Sequence, residues 1–456
     1  MKKDENAGGK WYDQFSKKRT VEKGGKKTEF KPGPKKSFDT PQKVRLETVP
    51  FEKDARFVGK SALFDFEKLP EDSVKALENF DSIVQGVCPM NTRQINKLPK
   101  DILELSHQLT DQRENRRMGY MNAKEEFSAY LRYFTWWNLV RLTRVFSNLP
   151  ENAFDLQDGD VCIDLGTGPL TVVTALWLSR PELRNKKLTW YCVDLSPNSM
   201  SVGEEIYLSV AAKVRPSDQN APSNWNIIRI KGEPGVSIKE KAAFISSANM
   251  FNELAQKSNL KPDELAKKQF QILKSYSCER TGYFIAEPGM PTAAHFVSLM
   301  RDQMIQDGFH IVSPCPHMEK CPMSGLHARY GGTAKWCNFS FTTEKAPAKL
   351  LKLSVAAKLP KDRAVISFVY GRLGFVQNAS ERADKKTDLS LRIASDGLKL
   401  PGYRTGFYAC SNMGLVLAVG KDAGAMASGD CIQLNLTKES ENLQKDKKSG
   451  AKIVRF

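Results

Sequence analysis

The sequence has no apolar run near the roughly eighteen residues that a membrane-spanning helix needs. It has no apolar signal core at its N-terminus, and its nine cysteines are ordinary in number for 456 residues and odd in count. Secretion and a disulfide framework are therefore disfavoured. Nor is the beginning poor in acids: Asp4, Glu5, Asp13 and Glu22 stand among Lys2, Lys3, Lys17, Lys18, Arg19, Lys26 and Lys27, against the pattern of an organelle transit peptide. These absences lead to the expectation of a soluble protein without membrane contact, with the cytoplasm as the default address and the mitochondrial matrix as the other; a monomer is the expected state, though nothing in the sequence fixes it.

Basic charge is abundant. The formal net charge is +17, and residues 1–50 hold fourteen Lys/Arg against seven Asp/Glu, in a Gly/Pro/Lys-rich segment of low hydrophobicity. Such a segment is expected to be a disordered tail over residues 1–45. It can serve as a solubilising arm, or it can supply sequence-independent affinity for RNA phosphate.

The rest of the chain divides by hydrophobic period. Residues 46–150 are expected to be a helical region, because Asp81–Val87, Leu98–Leu109 and Glu125–Leu149 place apolar residues three and four apart. In the last of these, Tyr130, Phe134, Trp137, Leu142 and Phe146 form a stripe read as core, with Arg132, Arg141 and Arg144 outside it.

From Asp160 the period changes to short continuous apolar runs: Val161–Leu165, Leu188–Asp194, Ile227–Ile230, Ala243–Ser247 and Tyr283–Ala286. Alternating with helical segments, they predict a doubly wound α/β sheet over residues 151–312. A helix over 291–307 follows the last run, with Pro near its start and Gly308 after its end.

The first run leads into Asp164-Leu165-Gly166-Thr167-Gly168-Pro169-Leu170, where glycines let the backbone approach a nucleotide. Asp194 ends the second run, where a carboxylate can accept both ribose hydroxyls of an adenosine cofactor. A dinucleotide dehydrogenase competes with this reading, but Asp164 precedes the glycines and no catalytic Tyr/Lys or Cys/His set follows.

Two Cys-Pro dipeptides, Cys315-Pro316 and Cys321-Pro322, put thiols on a loop, and Cys337 follows in Trp336-Cys337-Asn338-Phe339. Thiols so placed in a reducing compartment suit a metal, zinc or iron-sulfur, and a fourth donor must come from elsewhere. His317 or His327 can complete a Cys₃His zinc tetrahedron. Cys162, Cys192 and Cys278 read as packing residues. Cys88-Pro89 is similar to a cytosine-methylating nucleophile but lies outside the α/β domain. Residues 313–456 are expected to be a cysteine-ligated, β-rich extension with strands near Ala364–Val369 and Leu415–Val419.

The turn at Asp164–Leu170 resembles the first motif of class I S-adenosylmethionine methyltransferases, although Leu170 stands at the third glycine position, where it is expected to narrow the space beside the cofactor. Tyr130-Leu131-Arg132-Tyr133, the glycine turn, Asn249-Met250-Phe251-Asn252-Glu253-Leu254, Glu287-Pro288-Gly289, Cys315-Pro316-His317 with Cys321-Pro322, and Trp336-Cys337-Asn338-Phe339 come in the order of one family. Over residues 125–415 the chain resembles the methyltransferase-like assembly factors of the small ribosomal subunit, known in mitochondria and bacteria. The resemblance implies S-adenosylmethionine at Asp164, Gly166, Gly168 and Asp194. It also implies a [4Fe-4S] cluster on Cys315, Cys321, Cys337 and, as the weakest match, Cys410, with Cys431 as its competitor. The implied partners are small-subunit rRNA and the pre-ribosomal particle. If rRNA is methylated, Asn252, Glu253 and Glu287 are the catalytic candidates. No Asn-Pro-Pro-Tyr-like motif is present, so the fold can equally serve as a binding module. A small-molecule methyltransferase with structural zinc is the alternative.

Overall fold

The computed structural model describes residues 52–110, 124–326, 335–375, 388–402, 404–420 and 426–456. The tail expected at 1–45 and His327 lie outside these residues. The described chain opens on a strand, β1 (Ala55–Ser61), inside the stretch expected to be helical. Helices follow: α1 (Glu71–Glu78), α2 (Phe80–Val87), α3 (Thr92–Leu109), α4 (Lys124–Ala129) and α5 (Trp136–Asn148), with a π-helical turn at Tyr130–Thr135 joining the last two.

In the aromatic stripe Trp137, Leu142 and Phe146 are buried, with Tyr130 and Phe134 packed against them, so the stripe is core. Arg132 and Arg144, expected outside it, are buried as well. The reason is that this segment is packed nearly all round: Leu131, Tyr133, Trp136, Leu139, Val140, Thr143 and Val145 are buried together with the stripe. Arg132 Nη2 donates to Gln85 Oε1 (2.8 Å) and to the Cys88 carbonyl (2.6 Å), while the Arg144 guanidinium lies 4.3 Å from the Phe66 ring centroid.

The apolar runs become strands β2 (Val161–Leu165), β3 (Thr189–Asp194), β4 (Asn226–Lys231), β5 (Ala242–Ala248) and β6 (Ser277–Glu287), all parallel. They alternate with α6 (Thr171–Ser179), α7 (Pro181–Arg184), α8 (Pro197–Lys213), α9 (Phe251–Lys257) and α10 (Pro262–Ser275). Then come α11 (Pro291–Gln306), β7 (His310–Ser313), β8 (Phe339–Thr342), α12 (Ala348–Ala356) and β9 (Arg363–Arg372). The strand order is β4-β3-β2-β5-β6-β9-β7, with β8 on β9.

Both faces of this sheet are covered. Cys162, Cys192, Phe244 and Phe284 enter one apolar cluster, while their chain neighbours Ile163, Val193, Ile245 and Ile285 enter another. That two-sided burial is what continuous apolar strands require. β9 follows the same rule, with Phe368 on one side and Val369 on the other. It runs antiparallel between β6 and β7. The segment Ala364–Val369 is thus part of the doubly wound sheet, and not of a separate C-terminal extension beginning at 313.

A second sheet is formed by β1, β10 (Asp388–Ile393), β11 (Leu398–Leu400), β12 (Arg404–Ser411), β13 (Gly414–Gly420), β14 (Cys431–Leu436) and β15 (Lys452–Arg455). Its order is β1-β14-β10-β12-β13-β15, with β11 on β12. Alternate residues Leu389, Leu391, Ile393, Phe407, Ala409, Ile432 and Leu434 fill one side. Among the described residues no helix is long and apolar enough to cross a membrane.

Candidate functional site

The chain runs outward from β2 to β4, then returns to place β5 on the other side of β2. This reversal opens a crevice beyond the carboxyl ends of β2 and β5, where ligands bind in open α/β sheets. The glycine turn leaves β2 there, and Asn249-Met250 leaves β5. Every second residue of the turn is left-handed: φ is 67° at Gly166, 53° at Gly168 and 53° at Leu170. A Cβ on Gly166 would come within 2.7 Å of Met250 Cγ, and one on Gly203 of α8 within 2.4 Å of the Pro169 carbonyl carbon, so Met250 and α8 both close on the turn through missing side chains.

Leu170, the N-cap of α6, accepts the left-handed conformation without being glycine. That costs about 1–2 kcal/mol. Its side chain is fully buried and belongs to the large apolar core. The extra bulk at the third glycine position is absorbed by packing.

Four carboxylates gather around the crevice. Asp164 is fully buried; Oδ1 accepts from the Ser246 hydroxyl at 2.7 Å, while Oδ2 and the Thr167 hydroxyl have no hydrogen-bond partner among the described residues. Burial, opposed by the nearby Thr167 hydroxyl, which stands outside hydrogen-bonding geometry, and by the Ser246 hydrogen bond, and reinforced by the Asp194 charge, pushes Asp164 up to about 7. Asp194 accepts from the Gly168 amide at 2.9 Å through Oδ2 and from the Ser196 amide at 2.8 Å through Oδ1. It is raised by burial and by Glu253, against those amides. Its carboxylate therefore holds the turn to the end of β3, and each oxygen keeps a second lone pair for a ribose hydroxyl.

Glu287, at the end of β6, is buried and accepts from the amides of Phe251 (2.8 Å) and Asn252 (3.2 Å) at the start of α9. Burial, reduced by these amides and increased by Glu253, pushes it up to about 8. Of the three catalytic candidates, Glu287 thus has an evident positioning role, while Asn252 and Glu253 lie half-buried on α9. The structure brings Asp164, Asp194, Glu253 and Glu287 into one acidic neighbourhood. A ligand carrying an ammonium and a sulfonium complements that charge.

The thiols come from three places. Cys315 and Cys321 follow β7, Cys337 precedes β8, and Cys410 lies on β12 of the second sheet. Arg301 of α11 faces them: its Nε donates to Cys315 Sγ at 3.1 Å, and Nη2 donates to the carbonyls of His317 (3.1 Å) and Glu319 (2.8 Å). Arg392 of β10 ties the same loop to the second sheet, donating to the Pro314 carbonyl at 2.7 Å and the Gly429 carbonyl at 2.6 Å. His317 Nε2 lies 2.8 Å from Cys410 Sγ, and its Nδ1 has no partner among the described residues.

Burial pushes the Cys321 thiol up to about 12 and those of Cys337 and Cys410 well up, and each is raised further by its fellow cysteines and lowered by Arg301. Cys410 feels Cys315, Cys321 and Cys337 together, so the four sulfurs share one neighbourhood. Among the described residues no group of three His, Cys, Asp or Glu is drawn closely enough to be a finished metal cage. The donor chemistry nevertheless fits a soft cation, whose charge would reverse what burial does to these thiols. Cys431 stands apart: it and Cys410 face Arg392 from opposite sides, so they lie two strands apart, about 10 Å. Cys162 and Cys192 are buried strand residues as expected, and Cys278 is half-buried beside β5, its Sγ 3.4 Å from the Ala242 carbonyl.

Crevice and sulfur loop adjoin through a contact the motifs did not advertise. A Cβ on Gly289 would fall 2.3 Å from Val365 Cγ1, Trp336 Nε1 donates to the Gly289 carbonyl at 3.2 Å, and Ser367 Oγ donates to the Cys337 carbonyl at 2.7 Å. The Glu-Pro-Gly turn is thus bare where the Trp-Cys-Asn-Phe segment and β9 cross it. Residues 159–370 match the family described as mitochondrial small ribosomal subunit Rsm22.

The matched span contains the glycine turn, Asn252, Glu253, Glu287 and the first three thiols; it ends before Cys410. The resemblance to small-ribosomal-subunit assembly factors read from the motifs is borne out over that span. The family's description is mitochondrial, and the cytoplasmic expectation finds no support. No match was found among curated proteins. Among solved structures, a SAM-dependent methyltransferase from Aquifex aeolicus is 15% identical, with 49% of this chain and 86% of that chain covered and a TM-score of 0.27. Fibrillarin from Aeropyrum pernix with bound S-adenosyl-L-methionine is 13% identical, covering 38% of this chain and 68% of that chain at a TM-score of 0.24. Trm5b from Pyrococcus abyssi is 14% identical, covering 52% and 49% at 0.25. The fold assignment made above stands on the strand order and its two-sided burial.

Proposed function

We propose that this protein is an assembly factor of the small ribosomal subunit in the mitochondrial matrix, which binds rRNA, S-adenosylmethionine and one [4Fe-4S] cluster. The observation that carries the reading is the family match over a span that contains both the glycine-turn crevice and three of the four converging thiols.

In this reading Gly166 and Gly168 give the cofactor backbone clearance, and Asp194 accepts from its ribose while holding the turn. Asp164 and Glu253 face its positive charge. Glu287 fixes the first turn of α9, and so sets where Asn252 and Glu253 stand. S-adenosylmethionine supplies an electrophilic methyl group when bound. Transfer to rRNA would require an in-line approach past Asn252 and Glu253, and assembly-factor function does not require that transfer. Cys315, Cys321, Cys337 and Cys410 would hold the cluster, whose soft iron chemistry suits four thiolates without a carboxylate. Ligation there ties the methyltransferase-type domain to the second sheet.

One observation favours a second reading. His317 is the side chain in contact with Cys410 Sγ, and its neutral imidazole, held down to about 4 by burial and by Arg301, suits zinc. The small-molecule methyltransferase with structural zinc remains the alternative on that ground. Anaerobically purified protein should contain iron and acid-labile sulfide, and tagged protein should sediment with small-subunit precursors. Stoichiometric zinc without iron would transfer the metal site to the alternative. Sedimentation only in free fractions would end the ribosome reading.

A further inference from the structure

Two cations that the site described above does not use sit together where α5 meets the turn before β9. Arg141 lies on α5, and Lys361 lies in the turn between α12 and β9; both are half-buried. Each is held below its ordinary range mainly by burial, Lys361 also by the Arg141 charge, and no carboxylate offsets either one. Arg141 Nη1 donates to Asn138 Oδ1 at 2.9 Å, but its Nε is buried without a partner among the described residues. Lys361 makes no ion pair among the described residues, not even with the adjoining Asp362. Its Nζ lies 5.9 Å from the ring centroids of both Tyr133 and Trp137.

The surroundings fix this arrangement. The Tyr133 hydroxyl donates to the Leu359 carbonyl at 3.3 Å in the turn that carries Lys361, and Trp137 Nε1 donates to Ser354 Oγ at 3.2 Å in α12 just before it, so two rings of the helical layer hold this corner. Partly desolvated like charges without a counter-ion oppose folding, and an anion placed between them removes that penalty. An arginine fork beside a lysine point charge is the donor set that phosphate takes. Tyr133 and Trp137 are themselves buried, which leaves no free ring face on which a base could stack. Contact here would therefore read backbone and not sequence.

Position adds a second argument. β9 runs antiparallel to β6, with Ser367 opposite Glu287 at the carboxyl end. The residues that precede β9, Lys361 among them, accordingly lie beyond the same rim of the sheet as the cofactor crevice. Lys358, exposed in the same turn, adds charge on the approach.

We infer that Arg141 and Lys361 form a binding site for one phosphate of an RNA backbone, on the rim that also carries the cofactor crevice. The inference rests on the RNA-binding reading above. Its test uses the full chain and a small-subunit rRNA transcript, with affinity followed by fluorescence anisotropy between about 50 and 200 mM salt. Lys361→Gln and the double variant Arg141→Gln/Lys361→Gln should bind more weakly, and the double variant should lose about one unit of the log-log salt slope, as expected for one lost phosphate contact. Arg141→Lys should keep the slope. Without RNA, Lys361→Gln should melt no lower than the wild type, because it removes an uncompensated charge; a merely structural lysine would lower the melting temperature and leave the salt slope alone. An unchanged slope in both Gln variants, with the wild type binding rRNA well, overturns this site and leaves the RNA-binding reading standing. Wild-type binding no tighter than that of an unrelated protein of equal charge overturns both.

Discussion

The cofactor crevice and the sulfur loop are neighbours built on opposite plans. The crevice belongs to one sheet edge: Asp164, Gly166, Gly168 and Asp194 come from two adjacent strands, and Gly168 is bonded directly to Asp194. The sulfur set has no such local frame. Its thiols come from the loop after β7, from the lead into β8 and from β12, and they are brought together by Arg301 and Arg392, which bond to the backbone of the loop. The crevice is preorganised by short-range geometry, whereas the sulfur site depends on two sheets staying together. Perturbing the first should cost affinity, and perturbing the second should cost the fold.

The largest effect is expected at the thiols. Cys410→Ser should lose bound metal and several kcal/mol of stability together, because ligand binding and the docking of the second sheet are coupled. Cys431→Ser should keep the metal. Metal analysis and thermal melts on the same preparations check this; a Cys410→Ser protein with full metal content would remove Cys410 from the set.

Next comes Asp194→Ala. The change frees the Gly168 and Ser196 amides, and hydrogen bonds to a charged group contribute about 1.5–3 kcal/mol each. S-adenosylmethionine affinity by calorimetry should fall at least tenfold, which takes about 1.4 kcal/mol. Equal affinity in the variant would show that the turn holds its shape without the carboxylate.

A pH effect should follow. Asp164 near 7 and Glu287 near 8 lie above their ordinary carboxylate values, so the folded, ligand-free protein binds more protons than the unfolded chain. Its stability should therefore decline as pH rises from the ordinary carboxylate range through about 8. A cationic ligand favours the ionised forms, so S-adenosylmethionine binding should release protons below pH about 7 and tighten on going to pH about 8. Calorimetry in buffers of different ionisation enthalpy measures the proton release; affinity flat from pH 6 to 8 would contradict it.

The smallest effect on binding is expected at Leu170→Gly. Relief of the left-handed conformation returns about 1–2 kcal/mol, while emptying a fully buried leucine site costs about 2–5 kcal/mol. Burial wins, so the variant should be less stable, yet its cofactor affinity should change less than twofold because the side chain points into the core. A large gain in affinity would restore the narrowing expected from the sequence.

The two regions also differ in how far they could be read in advance. The runs at Val161, Leu188, Ile227, Ala243 and Tyr283 became β2 to β6, and the helix expected over 291–307 is α11, because both depend on local patterns of burial. β1 and the insertion of β9 between β6 and β7 depend on pairing with distant strands, which leaves no local mark. The buried state of Arg132 and Arg144 was hidden because the helix is packed on nearly every side, whereas an apolar stripe marks only one face. At the candidate site, the glycine turn was visible as a contiguous motif. Arg301, Arg392 and Ser246 were not, because each acts by a hydrogen bond to a remote partner and its own neighbours in the chain carry no sign of it.

The second sheet contains β1 near one end of the described chain and β15 at the other, and Asp54 bonds to Arg455, 401 residues away. In vectorial synthesis, β1 must wait for β14 before it has a hydrogen-bonded neighbour, while β2 to β6 can assemble much earlier. Cys410 belongs to the late-forming part. If the four thiols act as one ligand set, a nascent or truncated polypeptide can possess the crevice but not the finished sulfur site. Metal loading would then report that translation of this region had run to completion, a proofreading of the chain's own manufacture written into the order of its strands.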